Sequence, residues 1–449
     1  MHDVLVIGGG PAGSSCAYWL ADAGWDVVVV EKKHFPREKT CGDGLTPRAV
    51  RQLADMGVED SLADAHRYTG LRSCAWGQEL ELQWPKHPVF PSYGYTITRH
   101  DLDGLVSERA VKAGASVRQH TEAVEPILAG ASPPVAEASS SDAADVPGRS
   151  GASGATLPGC AGAVVRDSAT GTTSEIRARY VVVADGSNSR IGRALGSTRQ
   201  KGYPLGMALR GYYRSRRHDD PFIESHLDIR DEKGETVPGY GWIFPLGDGR
   251  VNVGVGLLST DQRWKGLNTS RLMDAFVAQA PRSWGLSEET SCGPPTGGKL
   301  PMSFAVGPRT GPNTLLIGDA SGAINPFNGE GIAYGYETGR LAAAHLADAL
   351  RGEGAEALAR YEQRLEETFG DYYRVGRAFV RLISNPKAMH WCVAIGMRSE
   401  AFMGELLRIM ANLMRPTRPG VAEVGYDALV GIARSMPDSI AEGVRQILG

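Results

Sequence analysis

The chain has 449 residues, 42% of them hydrophobic, enough for two packed domains and a helical appendage. Its formal net charge of −3 offers no basic surface, so no nucleic-acid partner is expected. Six cysteines without a C-x-x-C pair argue against a disulfide framework and a zinc site, so no metal is expected and a reducing cytosol suits the chain.

Asp3 to Ile7 form a short branched apolar run with the character of a buried strand. A chain entering a strand at once is expected to have no signal peptide. No apolar run approaches the roughly 20 residues that span a bilayer. The expectation is a cytoplasmic protein, at most peripheral to the inner face of the cell membrane. Gly8-Gly9-Gly10-Pro11-Ala12-Gly13 then satisfies G-x-G-x-x-G and leads into a helical run. Gly8 permits the tight turn, and Gly10, followed by Pro11 and Ala12, lets a pyrophosphate approach the backbone. Gly13 permits close helix–strand packing. The helix N-terminus offers free N–H groups to phosphates. Val27 to Val30 read as a second buried strand, and Glu31, 18 residues past Gly13, can accept hydrogen bonds from ribose hydroxyls. Lys32 beside it is a further cofactor-contact candidate.

Phe35 to Leu45, with Pro36, Gly42 and Gly44, form a loop returning towards the nucleotide site. Thr46-Pro47 start a helix. Residues 68–84 read as a hairpin from the alternation of Leu80, Leu82 and Trp84. Arg99 opens another helix, where a basic residue can reach a phosphate or the ring system of a bound cofactor. Residues 129–162 are mostly Ala, Ser, Gly, Pro and Asp, too poor in large apolar groups to offset their ordering entropy. They read as a disordered surface insertion without chemistry, and Cys160 as incidental.

A strand from Arg179 ends in Asp185-Gly186. Residues 203–258 turn antiparallel, with Val251, Val253, Val255 and Leu257 in period two. Asn313 to Asp319 form another buried strand ending in Gly318-Asp319, followed by a loop through Gly329 and Gly331 and a helix over 331–350. The rest is helical. Its Met389, Met397, Met403, Met410, Met414 and Trp391 fit either core packing or a lipid-facing surface.

Ligands of α/β sheets bind at strand carboxyl ends, so the three motifs can face one crevice. The combination resembles the FAD-binding fold of the para-hydroxybenzoate hydroxylase type. That resemblance implies an α/β, Rossmann-like FAD domain built from 1–66, 98–198 and 296–350. It further implies an antiparallel β-sheet substrate domain from 67–97 and 199–295, and a helical C-terminal region over 351–449. It places Asp319 at the FAD ribityl or ribose region and the Gly329–Gly331 turn at the pyrimidine edge, where a helix dipole stabilises negative charge.

Pro238 to Pro245 resemble the P-x-x-Y-x-W-x-F-P signature of geranylgeranyl reductases. Cys41-Gly42-Asp43-Gly44 resembles the cysteine loop those enzymes place beside the flavin. The resemblance implies saturation of C=C bonds in an isoprenoid chain, a menaquinone tail or a geranylgeranyl lipid, by hydride from reduced FAD. Tyr240, Trp242 and Phe244 alternate along a strand and can share one face. They form an aromatic substrate wall or the core of the second domain. Cys41 donates the proton or shapes the flavin face; with Tyr240 and Trp242 it completes the catalytic candidates.

Other readings share the fold. Tyr240 to Pro245 partly resemble the W-x-W-x-I-P motif of flavin halogenases, which need a lysine; Lys86, the only lysine between Lys39 and Lys112, lies in a Pro-flanked loop rather than a strand. An aromatic monooxygenase is a second alternative. A non-enzymatic prenyl-lipid-binding protein, as in the Rab GDP-dissociation inhibitors, is a third. NADPH, ferredoxin or a deazaflavin can each serve as electron donor.

Overall fold

The computed structural model describes residues 1–130, 156–259, 266–417 and 419–435. Most of the expected insertion, 131–155, and the last part of the expected helical region, 436–449, lie outside the described residues.

The chain begins with β1 (His2–Ile7), α1 (Pro11–Asp22) and β2 (Val27–Val30). Next come α2 (Pro47–Asp55), β3 (Gly70–Ala75), β4 (Gln78–Gln83), α3 (Arg99–Lys112) and β5 (Ser116–Arg118). β6 (Thr121–Leu128), β7 (Cys160–Asp167), β8 (Thr173–Val183) and the short α4 (Arg190–Ala194) follow. β9 (Leu205–Arg214), β10 (Phe222–His226), β11 (Gly239–Pro245), β12 (Arg250–Leu258) and β13 (Thr296–Pro301) belong to a second sheet, with α5 (Thr269–Gln279) between β12 and β13. The chain then returns to the first sheet as β14 (Thr314–Leu316) and enters α6 (Ile332–Asp348). Five helices close it: α7 (Gly354–Leu365), α8 (Asp371–Ile383), α9 (Pro386–Gly396), α10 (Glu400–Met410) and α11 (Val421–Ser435).

The first sheet has the order β5-β2-β1-β8-β7-β6, with β14 also paired to β8. β1 is parallel to β2 and β8, and β8 is parallel to β14. These strands are buried on both faces, which is why they read as continuous valine and leucine runs. Ile7 aligns with Val183, and Val183 with Leu316. The segments that follow, at Gly8, Asp185 and Gly318, therefore leave the sheet along one edge. α1 and α6 pack together on one face. A Cβ at Gly339 would lie 2.5 Å from the Ala12 carbonyl oxygen, so only glycine allows this approach.

The second sheet runs β13-β9-β12-β11-β10-β3-β4. It is antiparallel except at one place: β10 runs parallel to β3. The expected antiparallel substrate sheet thus carries one parallel pair. β3 and β10 are separated by β4, by four strands of the first sheet (β5 to β8) and by β9 rather than by a hairpin, so no tight turn dictates their direction. Val251, Val253 and Val255 of β12 pack with Leu272, Met273 and Phe276 of α5. The period of two then sends Asn252, Gly254 and Gly256 to the opposite face.

The structured flanks reach into the stretch expected to be disordered. Leu157 and Cys160 are both buried. Asn313 holds Cys160 at both its backbone groups, accepting from its N–H at 2.9 Å and donating to its carbonyl at 2.7 Å. Small residues hid this strand because β7 packs through Cys160, Ala163 and Val165, with Gly162 too close to the Ile176 carbonyl for any side chain.

Candidate active site

The nucleotide-binding edge is built from backbone that side chains would block. A Cβ on Gly13 would strike the Gly8 carbonyl at 1.9 Å, so glycine is what lets α1 start directly against β1. Gly10 precedes α1 without a side-chain cap, and a Cβ there would meet only Arg37 Nη2, at 3.8 Å. The helix end is thus an open donor surface, with Pro11 and Ala12 behind it. Glu31 is buried at the end of β2. Its carboxylate accepts the N–H groups of Gly9 and Lys33, each at 3.0 Å. Lys32 itself is exposed. The basic group that faces Glu31 is Arg37, which also lies 3.1 Å from Asp103. Arg99 is buried in a bidentate pair with Asp103 at 2.6 and 2.7 Å.

The other two motifs reach the same edge. Asp185 Oδ2 accepts the N–H groups of Arg190 and Ile191 and so caps α4, while Oδ1 is buried without a partner. Burial raises this carboxyl's pKa. Gly186, with φ of +87°, has open space where a Cβ would be. Gly318 lies against Ala12, so the third motif abuts the first. A Cβ at Gly331 would meet Asp319 Oδ1 at 3.1 Å, which puts that carboxylate beside the uncapped start of α6. Two open helix ends, the Glu31 acceptor and the Asp319 carboxylate together fit a dinucleotide carrying a ring system with an electron-rich edge.

The aromatic strand lies alongside. Tyr240, Trp242 and Phe244 share one face of β11, with neighbouring ring centroids 5.7 and 6.3 Å apart. Their space comes from β12: Tyr240 is opposite Gly256, Trp242 opposite Gly254 and Phe244 opposite Asn252. A Cβ at Gly254 would overlap Trp242 Cζ2 at 2.1 Å. The Cys41–Gly44 loop covers this face, with Gly42 and Gly44 directly against the Phe244 ring. Tyr240 donates its hydroxyl to the Asn328 carbonyl at 2.6 Å, tying the aromatic strand to the turn through Gly329 that precedes α6. Cys41, Gly42, Tyr240, Trp242, Phe244, Gly329 and Gly331 are therefore connected around one region.

Residues 1–140 and 159–208 match the FAD binding domain family model. The menaquinone reductase of Mycobacterium tuberculosis is 39% identical over 92% of this chain and 91% of its own length. The digeranylgeranylglycerophospholipid reductase 1 of Methanopyrus kandleri is 30% identical over 85% of this chain and 90% of its own. This chain belongs to the geranylgeranyl reductase family of FAD-dependent oxidoreductases. The fold agrees: the crystal structure of a geranylgeranyl bacteriochlorophyll reductase-like protein from Thermoplasma acidophilum superposes with a TM-score of 0.69, at 23% identity, covering 98% of each chain.

Four residues of this geranylgeranyl reductase-family site escaped sequence reasoning. Arg37 stood in a loop whose course no pattern fixes. Asp43 lies inside the cysteine motif, where a polar residue in a glycine-rich loop gives no sign of burial; its φ is +63°. It is fully buried and accepts from Tyr212 Oη at 2.6 Å, Asn252 Nδ2 at 2.7 Å and the Arg99 N–H at 3.3 Å. Burial pushes its pKa up to about 6. Asn252 was visible as the polar member of an alternating strand. It is fully buried, accepts Trp242 Nε1–H at 2.9 Å and donates to the Cys41 carbonyl at 2.9 Å. Glu330 accepts from Thr46 Oγ1 at 2.5 Å through one oxygen, while the other is buried and unpaired. Burial raises its pKa to about 7.

Proposed function

We propose that this protein saturates C=C bonds of an isoprenoid chain, the tail of a menaquinone or a geranylgeranyl lipid, with the chain held along Tyr240, Trp242 and Phe244. The observation that carries this reading is the aromatic face of β11 pressed against the Cys41–Gly44 loop, beside the start of α6. FAD, when bound and reduced, supplies the hydride for such chemistry. Gly8, Gly10, Gly13, Glu31, Asp185, Gly186, Asp319, Gly329 and Gly331 would hold it, with Arg37 and Arg99 fixing the acidic groups around it.

An isolated alkene has no carbonyl to polarise, so the second hydrogen must arrive as a proton and the slot must fit closely. Burial raises the pKa of the Cys41 thiol. It also raises that of the Tyr240 hydroxyl, and the nearby Cys41 and Glu330 add to the shift. Both groups therefore keep their protons at neutral pH, which suits proton donors. The electron donor is external: NADPH, ferredoxin or a deazaflavin. A tail of this kind resides in a bilayer, so we place the protein at the inner face of the membrane as a peripheral protein; no helix among the described residues is long and apolar enough to cross one. Halogenation is disfavoured by Lys86, whose side chain is exposed to solvent.

The test is anaerobic incubation of chemically reduced protein with polyprenyl quinones and geranylgeranyl lipids, followed by mass spectrometry. A gain of about two mass units per alkene, one hydride plus one proton, is expected. An unchanged tail with an oxygen-dependent product would assign a monooxygenase instead.

A further inference from the structure

α9 and α10 are apolar on two opposite sides. Their inner side is core. Met397, Met403 and Leu407 pack with Tyr68, Leu82 and Trp84, and Phe244 of the aromatic strand packs against that cluster. Met389 is buried as well, so the methionines of α9 and α10 act as packing. The outer side is different. Trp391 is 67% exposed, Ile395 60% and Phe402 54%. Trp391 and Ile395 are one helical turn apart and share a face. A Cβ at Gly396 would meet the Phe402 ring at 3.6 Å, so Phe402 continues the patch from the neighbouring helix. A helix that is apolar all round is normally covered on every side. Here half of that surface faces outward.

The chemistry of the surroundings selects the cover. Across 381–402 the charged side chains are Arg381, Lys387, Arg398 and Glu400, in a chain whose overall balance is acidic. Lys387 and Arg398 are exposed beside the patch. Exposed Trp, Ile and Phe flanked by Lys and Arg match the interface of an anionic bilayer, where indole rings settle at the headgroup level and basic groups meet lipid phosphates.

We infer that α9 and α10 form a docking face for an anionic lipid surface, inserting Trp391, Ile395 and Phe402 below the headgroups. One pair of helices then touches the bilayer on its outer side and the cluster at Phe244 on its inner side. A membrane-held chain has only this two-helix layer to cross on its way to the aromatic wall. That last step rests on the isoprenoid reading above; the docking face does not.

The experiment is co-sedimentation of FAD-loaded full-length protein with vesicles of phosphatidylglycerol and phosphatidylcholine. The unaltered protein should bind, less tightly as salt rises. Trp391→Ser/Ile395→Ser/Phe402→Ser should bind at least ten-fold more weakly, with far-ultraviolet dichroism, FAD content and turnover of a short, water-dispersed prenyl quinone unchanged. Should the triple variant misfold, the single change Trp391→Phe decides the matter: a blue shift of tryptophan emission on vesicle addition, with quenching by brominated lipid, is expected in the unaltered protein and should be lost in that variant, which keeps the chain's other tryptophans. Failure of the unaltered protein to bind, or equal binding by a folded triple variant, would overturn the assignment. So would a dimer that the triple substitution splits into monomers without any vesicle binding, because a second copy would then be the cover. Vesicle binding without reduction of any isoprenoid would retire the proposed reaction and leave the docking face standing.

Discussion

Asn252 donates its side-chain N–H to Asp43 Oδ2 at 2.7 Å, joining the floor of the aromatic strand to the cysteine loop. The same carboxamide accepts from Trp242 and donates to the Cys41 carbonyl. Asn252→Ala strips a partner from three buried groups, at about 1–3 kcal/mol for each one left unsatisfied. A clear fall in thermal midpoint is expected. Asn252→Asp should be worse above about pH 6, where Asp43 ionises and would face a second carboxylate. Thermal unfolding of both variants at pH 5 and pH 8 checks this; the same loss at both pH values in Asn252→Asp would contradict the Asp43 assignment.

Glu31→Ala is expected to weaken FAD retention. The lost acceptor is charged, and each hydrogen bond to such a group contributes about 1.5–3 kcal/mol, so a Kd increase of roughly 10- to 100-fold follows. The substitution also leaves Arg37 with Asp103 as its remaining acidic neighbour and frees the Gly9 N–H. Flavin absorbance after exhaustive dialysis measures the effect. Equal occupancy in variant and parent would remove Glu31 from the binding site.

The parts of the fold that could be read in the sequence are those governed by local periodicity. Val4 to Ile7, Val27 to Val30 and the alternation through Val251 to Leu257 each encode their own burial. The glycine motifs could be read because their job is backbone geometry, as the 1.9 Å conflict at Gly13 makes explicit. What stayed hidden depends on chain segments far apart in sequence. Asp43 and Asn252 are 209 residues apart, and neither has a local pattern that names the other. β7 was missed for a related reason: its small residues look unstructured until Asn313, 153 residues away, is placed beside Cys160. The parallel pairing of β3 with β10 is likewise a decision of topology.

Glu330 offers a pH signature. The unfolded chain releases this proton near 4.5, whereas burial in the folded protein holds it to about 7. Between those values the native state binds more protons than the unfolded state, so Glu330 makes stability fall as pH rises through that window. Glu330→Gln can still accept from Thr46 Oγ1 and has no charge to bury. Its thermal midpoint is expected to exceed that of the parent at pH 8 and to converge on it near pH 4.5. Parallel curves for the two proteins across that range would show that Glu330 is not a neutral buried acid.

The aromatic wall can be tested without removing a reactive group. Trp242 is buried, and its indole N–H is bonded into the Asn252 link, so Trp242→Ala would open a large cavity and release the loop as well. Losses of about 3–5 kcal/mol accompany such truncations, and FAD retention would suffer along with turnover. Phe244→Leu is the cleaner change, because Phe244 is only partly buried, makes no hydrogen bond through its ring, and touches Gly42 and Gly44. It should leave flavin content and thermal midpoint close to those of the parent while lowering kcat/KM for a polyprenyl substrate. Gly254→Ala crowds the same wall from the neighbouring strand: the new methyl group would meet Trp242 at 2.1 Å and displace the indole. It should impair reduction more than Phe244→Leu, with Cys41, Tyr240 and Trp242 all still present. If both variants retain FAD and reduce the tail at the parent rate, the chain does not lie along β11, and Tyr240, Trp242 and Phe244 serve only as core.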